Sequence, residues 1–419
     1  MQALRTKRVI ASMALATSLA LGVGAVGVLA DSVPASAATQ PSGPIVVGGI
    51  DAGFNFPGTA QGFQARIARF NKAGGLGGRQ IKFLGVSDDQ DSPSSELSDA
   101  QQLIQSDHVF AITPVADDVY GGATATFVDQ SKTPILGYGV SEPWCNDKYA
   151  VSIVGCQQSS AGYETTASIK QIIQASKKPA SQLRVAMEGY NIAAALTVSK
   201  TLGEVWQKQG ANVVLNENNI PLTGASSQAP FVQAILATNP NVVFEVTGSA
   251  AAVTLAAALK AAGYKGLIYN GSSYEPAALQ SEPSVASALN GVYVTNLLPT
   301  GYDNTPAVKQ EQKDLKAIGA VPDIEIGTDA GYWSADLFIQ LLQATKNRGV
   351  AVTPANFLAT VAKGITVKPS MSGGNGPLTW PMLADQPQPC NATVQGAGTT
   401  YKLFQKFTCY NNIKVATGS

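Results

Sequence analysis

The chain has 419 residues, 45% hydrophobic and 13% charged, so it can bury a large core in more than one lobe, and disorder is excluded. Lys plus Arg and Asp plus Glu both number 28, which leaves no field to hold a polyanion and argues against nucleic acid or an anionic membrane surface as partner. A single histidine, His108, gives little material for a histidine-based hydrolase or metal centre.

Arg5, Lys7 and Arg8 precede an uncharged apolar run from Val9 to Ala30, and Ala35-Ser36-Ala37 offers small residues to a signal peptidase. This predicts a signal peptide over residues 1–37, cleaved after Ala37, and a linker over 38–43. An uncleaved anchor is the alternative, because the run is long enough to span a bilayer. The run holds no cysteine for lipid attachment, so a soluble, monomeric protein of the periplasm or cell exterior is expected. Thiols tend to pair outside the cytoplasm. Cys145 and Cys156 close a short loop, and Cys390 and Cys409 flank a glycine-rich turn, so these local pairs fit better than crossed ones. A zinc site would lack any Cys-x-x-Cys spacing.

From Pro44 on, short apolar runs alternate with longer helical patterns. Pro44–Ile50 reads as a buried strand; the helix after it sets Phe63, Ile67 and Phe70 on one face and stops near Gly74-Gly75. Gln80–Val86 is the next strand. Ser92 caps a helix with Pro93 at its first position, and Leu97, Ala100, Leu103 and Ile104 form its inward stripe. Further strand runs are Val109–Thr113, Pro134–Gly137, Leu183–Met187, Asn212–Leu215, Asn241–Val246, Gly266–Tyr269 and Gly291–Thr295. Cys390–Cys409 alternates like a hairpin around Gly396-Ala397-Gly398. The rhythm predicts an α/β fold in which two Rossmann-like lobes carry parallel sheets flanked by helices. Ligands of such sheets sit beyond the carboxyl ends of the strands, in the loops after Thr113, Gly137, Met187, Val246 and Tyr269.

Asp88, Asp89 and Asp91 have the look of a calcium loop but lack its further donors and its turn glycine, so a solvated, helix-capping acidic turn is expected. The glycines at 74–78 follow a helix and lack a lysine-serine/threonine pair, which makes them turn residues. Asp117, Asp118, Glu188 and Glu245 all fall at strand ends, where a carboxylate pair could hydrolyse a sugar.

The order and spacing of Phe70-Asn71-Lys72-Ala73-Gly74-Gly75-Leu76-Gly77-Gly78-Arg79-Gln80-Ile81, then Asp88-Asp89-Gln90-Asp91-Ser92-Pro93 and Ala100-Gln101-Gln102-Leu103-Ile104, resemble the type I periplasmic-binding family. The branch that looks most similar binds branched-chain amino acids, and a weaker likeness runs through Pro240–Gly263 and Asp329–Leu342. The resemblance implies two α/β lobes joined by a three-strand hinge, residues 44–158 with 300–374 and residues 159–299 with 375–419. Its crossings should fall near Gln157–Ala161, Leu297–Thr300 and Asn375–Leu378, with Cys145–Cys156 stiffening the approach to the first.

The resemblance also implies ligand-binding positions. In the first lobe they are Asp117 and Asp118, where the family presents a serine, and then Tyr138, Gly139 and Ser141, with Trp144 nearby. In the second lobe they are Tyr190, Asn191, Thr247, Gly248, Ser272 and Tyr274. Asp117 in place of a hydroxyl, and Ser272 in place of an acid, predict that the ligand is not a simple aliphatic amino acid in the usual pose. Amides, polyols, cationic or aromatic solutes then compete. Asp117 as a helix cap is the alternative. The expected function is a solute-binding protein of an ABC importer that hands a small molecule to permease subunits, with no catalysis, cofactor or metal. A carboxylate-dependent glycoside hydrolase and a ligand-sensing receptor domain are the alternatives.

Overall fold

The computed structural model describes residues 40–145, 147–158, 162–271, 273–321, 323–367, 378–380 and 386–416. The expected signal peptide lies outside these residues, and among the described residues no helix is long and apolar enough to cross a membrane. The apolar runs form two separate sheets. The first takes β1 (Ile45–Asp51), β2 (Ile81–Asp88), β3 (Ala111–Asp117), β4 (Ile135–Gly139) and β5 (Ala150–Ser152), all parallel, in the order β2-β1-β3-β4-β5. Their connections carry α1 (Thr59–Lys72), α2 (Pro93–Gln101) and α3 (Gly122–Ser131).

After β6 (Tyr163–Thr165) and α4 (Ala167–Ser176), the second sheet begins with β7 (Arg184–Tyr190), β8 (Asn212–Ile220), β9 (Val242–Val246), β10 (Leu267–Asn270) and β11 (Tyr293–Asn296). Between them lie α5 (Ala193–Lys208), α6 (Ala229–Ala237), α7 (Ser249–Ala261), α8 (Pro276–Ser281) and α9 (Pro283–Leu289). The chain then forms α10 (Pro306–Ala317), α11 (Ile326–Asn347) and α12 (Pro354–Ala362), of which α11 packs on α1, β3 and β4. A two-stranded sheet follows, β12 (Ile365–Val367) with β13 (Leu378–Trp380). Finally β14 (Cys390–Ala397) and β15 (Thr400–Cys409) make the expected hairpin, and β16 (Asn412–Lys414) pairs with β6. The hairpin joins the second sheet antiparallel to β11, giving the order β15-β14-β11-β10-β9-β7-β8. These are the parallel sheets flanked by helices that the resemblance implied.

Three features depart from the sequence reading. β3 runs on to Asp117 and β7 to Tyr190, because their last residues stay paired in register, Ala116 with Tyr138 and Glu188 with Glu245. In α2 the inward position goes to Glu96, while Leu97 is only half-buried. The third crossing expected at Asn375–Leu378 is met only in part: residues 375–377 lie outside the described residues, Leu378 belongs to β13 and pairs with β12, and Gln386–Gln388 is the segment that contacts the other two crossings. All three passages touch there: Cys156 N donates to Gln386 O at 2.9 Å, Gln388 N to Val154 O at 3.0 Å, and Gln388 Nε2 to Leu297 O at 2.7 Å. Both expected disulfides form, Cys145–Cys156 beside the first passage and Cys390–Cys409 across register partners of the hairpin.

The core under the first sheet depends on two glycines. α1 and α11 approach so closely that a Cβ on Gly62 would stand 2.0 Å from Thr328 O, and one on Gly331 would stand 2.0 Å from Thr59 O. The ion pairs Arg66–Asp336 and Arg69–Asp314, both at 2.7 Å, tie α1 to α11 and α10. Because the obstacle is backbone, an added methyl can be accommodated only by separating the helices, which costs about 1–3 kcal/mol in a close-packed core. Gly331→Ala should therefore lower the urea midpoint of unfolding by an amount of that size, and an unchanged midpoint would contradict the close approach.

Candidate functional site

In each sheet the strand order reverses once, between β1 and β3 in the first and between β7 and β9 in the second. At such a point neighbouring connections leave toward opposite faces and open a crevice beyond the strand ends. A cavity of ≈ 210 Å³ is lined by residues from both reversals. The first sheet contributes Asn55 and Phe56 from the loop after β1, Asp118 after β3, and Tyr138 and Val140 at the end of β4. The second contributes Tyr190 and Ile192 after β7, and Thr247, Gly248 and Ser249 after β9. α5 and α7 start at this wall, so their first amides bring the positive ends of two helices to it.

Most of the lining is apolar, with Phe56 and Tyr138 in ring contact at 5.5 Å and Val198, Leu202 and Phe244 forming the floor toward the second sheet. Three carboxyl groups also line it, Asp118, Glu164 and Glu245, and no Lys, Arg or His does among the described residues. Burial pushes Glu164 up to about 7, against the Thr201 hydroxyl and the Thr165 amide, which donate to it at 2.7 and 2.8 Å. Burial also raises Glu245 well above the usual carboxylate range, although Asn270 donates to it and Lys260 is nearby. Asp118 is raised by burial and by the charges of Asp91 and Asp117, and its carboxylate accepts no hydrogen bond from the described residues.

The two sheets meet closely at the cavity. A Cβ on Gly248 would stand 2.6 Å from Asn55 Oδ1 and 3.0 Å from Tyr190 Oη, so only glycine lets the loop after β9 approach the loop after β1. Asn55 is itself fixed, donating from Nδ2 to Asp91 Oδ2 at 2.7 Å.

Of the positions expected from sequence, Asp118, Tyr138, Tyr190, Thr247 and Gly248 line the cavity together. Asp117 does not: its Oδ1 accepts from Val119 N at 3.0 Å and Tyr120 N at 2.7 Å, so it turns into its own loop, and it does not cap α3 either, whose N-cap is Gly121. The argument that Asp117 repels a ligand carboxylate loses its geometric basis. Gly139 packs against the Trp144 ring in the core, and Ser141 donates to Tyr120 O at 2.6 Å, so neither faces the cavity. Asn191 is exposed outside it. Tyr274 is buried against Tyr401, with its hydroxyl accepting from Gly301 N at 2.8 Å. Ser272 lies outside the described residues. Glu188, offered as half of a carboxylate pair, is buried off the cavity and accepts from Asn219 N at 2.8 Å.

The sequence reading missed Asn55, Phe56 and Glu164. The rule that picked the loops after β3, β4, β7 and β9 applies equally to β1 and would have found the first two; Glu164 arrives from β6 by tertiary contact alone. The acidic turn is also corrected. Asp88 is exposed, but Asp89 and Asp91 are 0% and 5% exposed, because left-handed backbone at Gln90 and Asp91 (φ 56° and 52°) turns both carboxyls inward. They join Asp51, Glu96 and Asp117 in a buried acidic group. Burial, then the charge of Asp117, raises Asp89 to about 8 and Glu96 to about 9, and burial above all raises Asp51 and Asp117 to about 7.

A family model described as periplasmic binding protein matches residues 47–387. No curated protein matches the sequence significantly. Among solved structures, the chain is similar to a solute-binding protein of an ABC transporter from R. palustris in complex with 4-hydroxybenzoate, at 18% identity and a TM-score of 0.67, covering 88% of this chain and 98% of that one. It is similar to a fatty acid ABC transporter substrate-binding protein from Thermomonospora curvata, at 15% identity and a TM-score of 0.74, covering 88% and 94%. It is also similar to a possible leucine/isoleucine/valine-binding protein from Rhodopirellula baltica SH 1, at 14% identity and a TM-score of 0.68, covering 89% and 98%. At these identities the likeness is one of fold, and the family rests on the match that spans most of the sequence: the chain belongs to the periplasmic binding protein family.

Proposed function

We propose that the protein is the extracytoplasmic solute-binding component of an ABC importer, which closes over a small organic solute and delivers it to membrane permease subunits. The observation that carries the reading is the ≈ 210 Å³ cavity at the paired strand reversals, walled by both sheets. That volume lies below the roughly 300–1,000 Å³ of drug-sized pockets, so the solute is small. A mainly apolar lining suits an aliphatic or aromatic body, and the free carboxylate of Asp118 suits a hydrogen-bond-donating or ammonium head. The relatives' ligands in the comparisons, 4-hydroxybenzoate and fatty acids, share the apolar body and differ in the head. The family membership favours binding over glycoside hydrolysis.

A thermal-shift and calorimetry panel of branched-chain and aromatic amino acids, amides, hydroxybenzoates and fatty acids tests this. Solutes with a donor head should raise the melting temperature in proportion to the logarithm of their excess and remain chemically intact. A donor or ammonium head would offset the burial and neighbouring charges that raise Asp118 and would hold it ionised, so Asp118→Asn should weaken the best of them by about 1.5–3 kcal/mol, roughly ten- to a hundredfold. Tight binding only by fatty acids, or an unaltered affinity in Asp118→Asn, would contradict the assigned head group.

The buried cavity acids also set a pH dependence. Glu164 has its folded value raised from 4.5 to about 7, so folding favours its protonated form. Its contribution is fully present below pH 4.5 and is lost as pH rises through about 7. Glu164→Gln keeps an acceptor for the Thr165 amide and reverses the Thr201 bond, its amide donating to Thr201 Oγ1 while that hydroxyl donates to Val198 O, without the charge. Its stability should fall less steeply than that of the unmodified protein between pH 5 and pH 8 in urea titrations; parallel curves would rule out Glu164 as the titrating group.

A further inference from the structure

Behind the first-sheet wall, three carboxyls from three elements converge without a cation. Asp89 follows β2, Glu96 lies in the first turn of α2, and Asp117 ends β3; one oxygen of each lies within 4.8 Å of the others. Asp89 and Glu96 are 0% and 1% exposed, and Asp117 is 1% exposed. Two of the acids commit one oxygen to their own loops. Asp89 Oδ1 accepts from Asp91 N at 2.9 Å, and Asp117 Oδ1 accepts from Val119 N and Tyr120 N. The remaining oxygens, Asp89 Oδ2 and Asp117 Oδ2, have no hydrogen-bond partner among the described residues.

Glu96 supplies the second observation. Both of its oxygens are buried and accept no hydrogen bond of ordinary geometry among the described residues, one of them lies with the other two acids, and the Thr124 hydroxyl is nearby. The Tyr120 hydroxyl, also buried, lacks a partner as well. None of the ion pairs among the described residues involves these acids. A buried, unpartnered carboxylate is costly, and three together repel one another.

We propose that Asp89, Glu96 and Asp117 form a site for a divalent hard cation, and that the ion is calcium. The donor set is all oxygen, which disfavours zinc and the softer transition metals. Calcium accepts irregular all-oxygen sets in flexible geometry, whereas magnesium demands a near-ideal octahedron and gives up its waters reluctantly, which three buried carboxyls from three elements do not favour. Four carboxylate oxygens are free, and water completes the coordination. The ion would join the loops after β2 and β3 to α2. Those loops also carry Asp91 and Asp118, so calcium stiffens the cavity wall from behind.

Calorimetry on chelator-stripped protein is expected to show one calcium site per chain, with a melting temperature that climbs with the logarithm of calcium excess. Glu96→Gln should lose both effects, while Asp107→Asn, which removes an exposed acid away from the group, should keep both. If Glu96→Gln does not fold, terbium luminescence sensitised through Tyr120 in the unmodified protein, and quenched by competing calcium, decides the same point. No heat, no thermal shift and no terbium signal up to about 10⁻² M calcium, above the range of weak extracellular sites, would overturn the site and leave protons as the occupants. Full calcium binding by Glu96→Gln would also overturn it, and magnesium binding as tightly as calcium would overturn the choice of ion.

Discussion

The carboxylate of Asp91 accepts hydrogen bonds from Asn55 Nδ2 at 2.7 Å and from the Asp118 amide at 3.1 Å, and through them it holds the loops after β1, β2 and β3 in one arrangement. Both partners line the cavity, so two of the first sheet's wall residues are held by one buried side chain. Charge-assisted bonds of this kind are short and directional, and removing the acceptor would leave the Asn55 amide unpaired at a cost of about 1–3 kcal/mol. Asn55 in turn faces Gly248, so the position of Asp91 reaches the second sheet through this close approach.

This explains why the site lies at the joint of the molecule. Each sheet alone offers a crevice where its strand order reverses, but an open crevice leaves an apolar solute partly in water. Asn55 and Tyr190 both come close to Gly248, so the two crevices form one cavity, and in the proposed function burial of the solute's apolar surface would favour the closed form. The three passages between the sheets, hydrogen-bonded to each other at Cys156, Leu297 and Gln386–Gln388, are where such a motion would pivot.

The fold was legible because its signals are local. Apolar runs bounded by turns, the Ser92-Pro93 helix start and the cysteine spacing each act within a few residues, and Ser92 does accept from Ser95 N in the structure. The cavity was legible in part, since the carboxyl ends of parallel strands follow from strand assignment. What could not be read was side-chain direction. Asp117 and Asp118 are adjacent at a strand end and point to opposite fates, one turning into its own loop and one lining the cavity. The inward turn of Asp89 and Asp91 depends on left-handed backbone at Gln90 and Asp91, two residue types that do not demand it. Glu164 enters the cavity from a short strand whose partner, β16, is distant in sequence.

The central claim is that one solute touches both strand reversals at once. Amide hydrogen exchange, with and without the tightest-binding solute of the panel, tests it directly. The account predicts slowed exchange together in the loops around Asn55 and Asp118 and in those around Tyr190 and Gly248, with little change at the outer strands β2 and β8. Protection confined to one sheet, or centred away from these four loops, would contradict it.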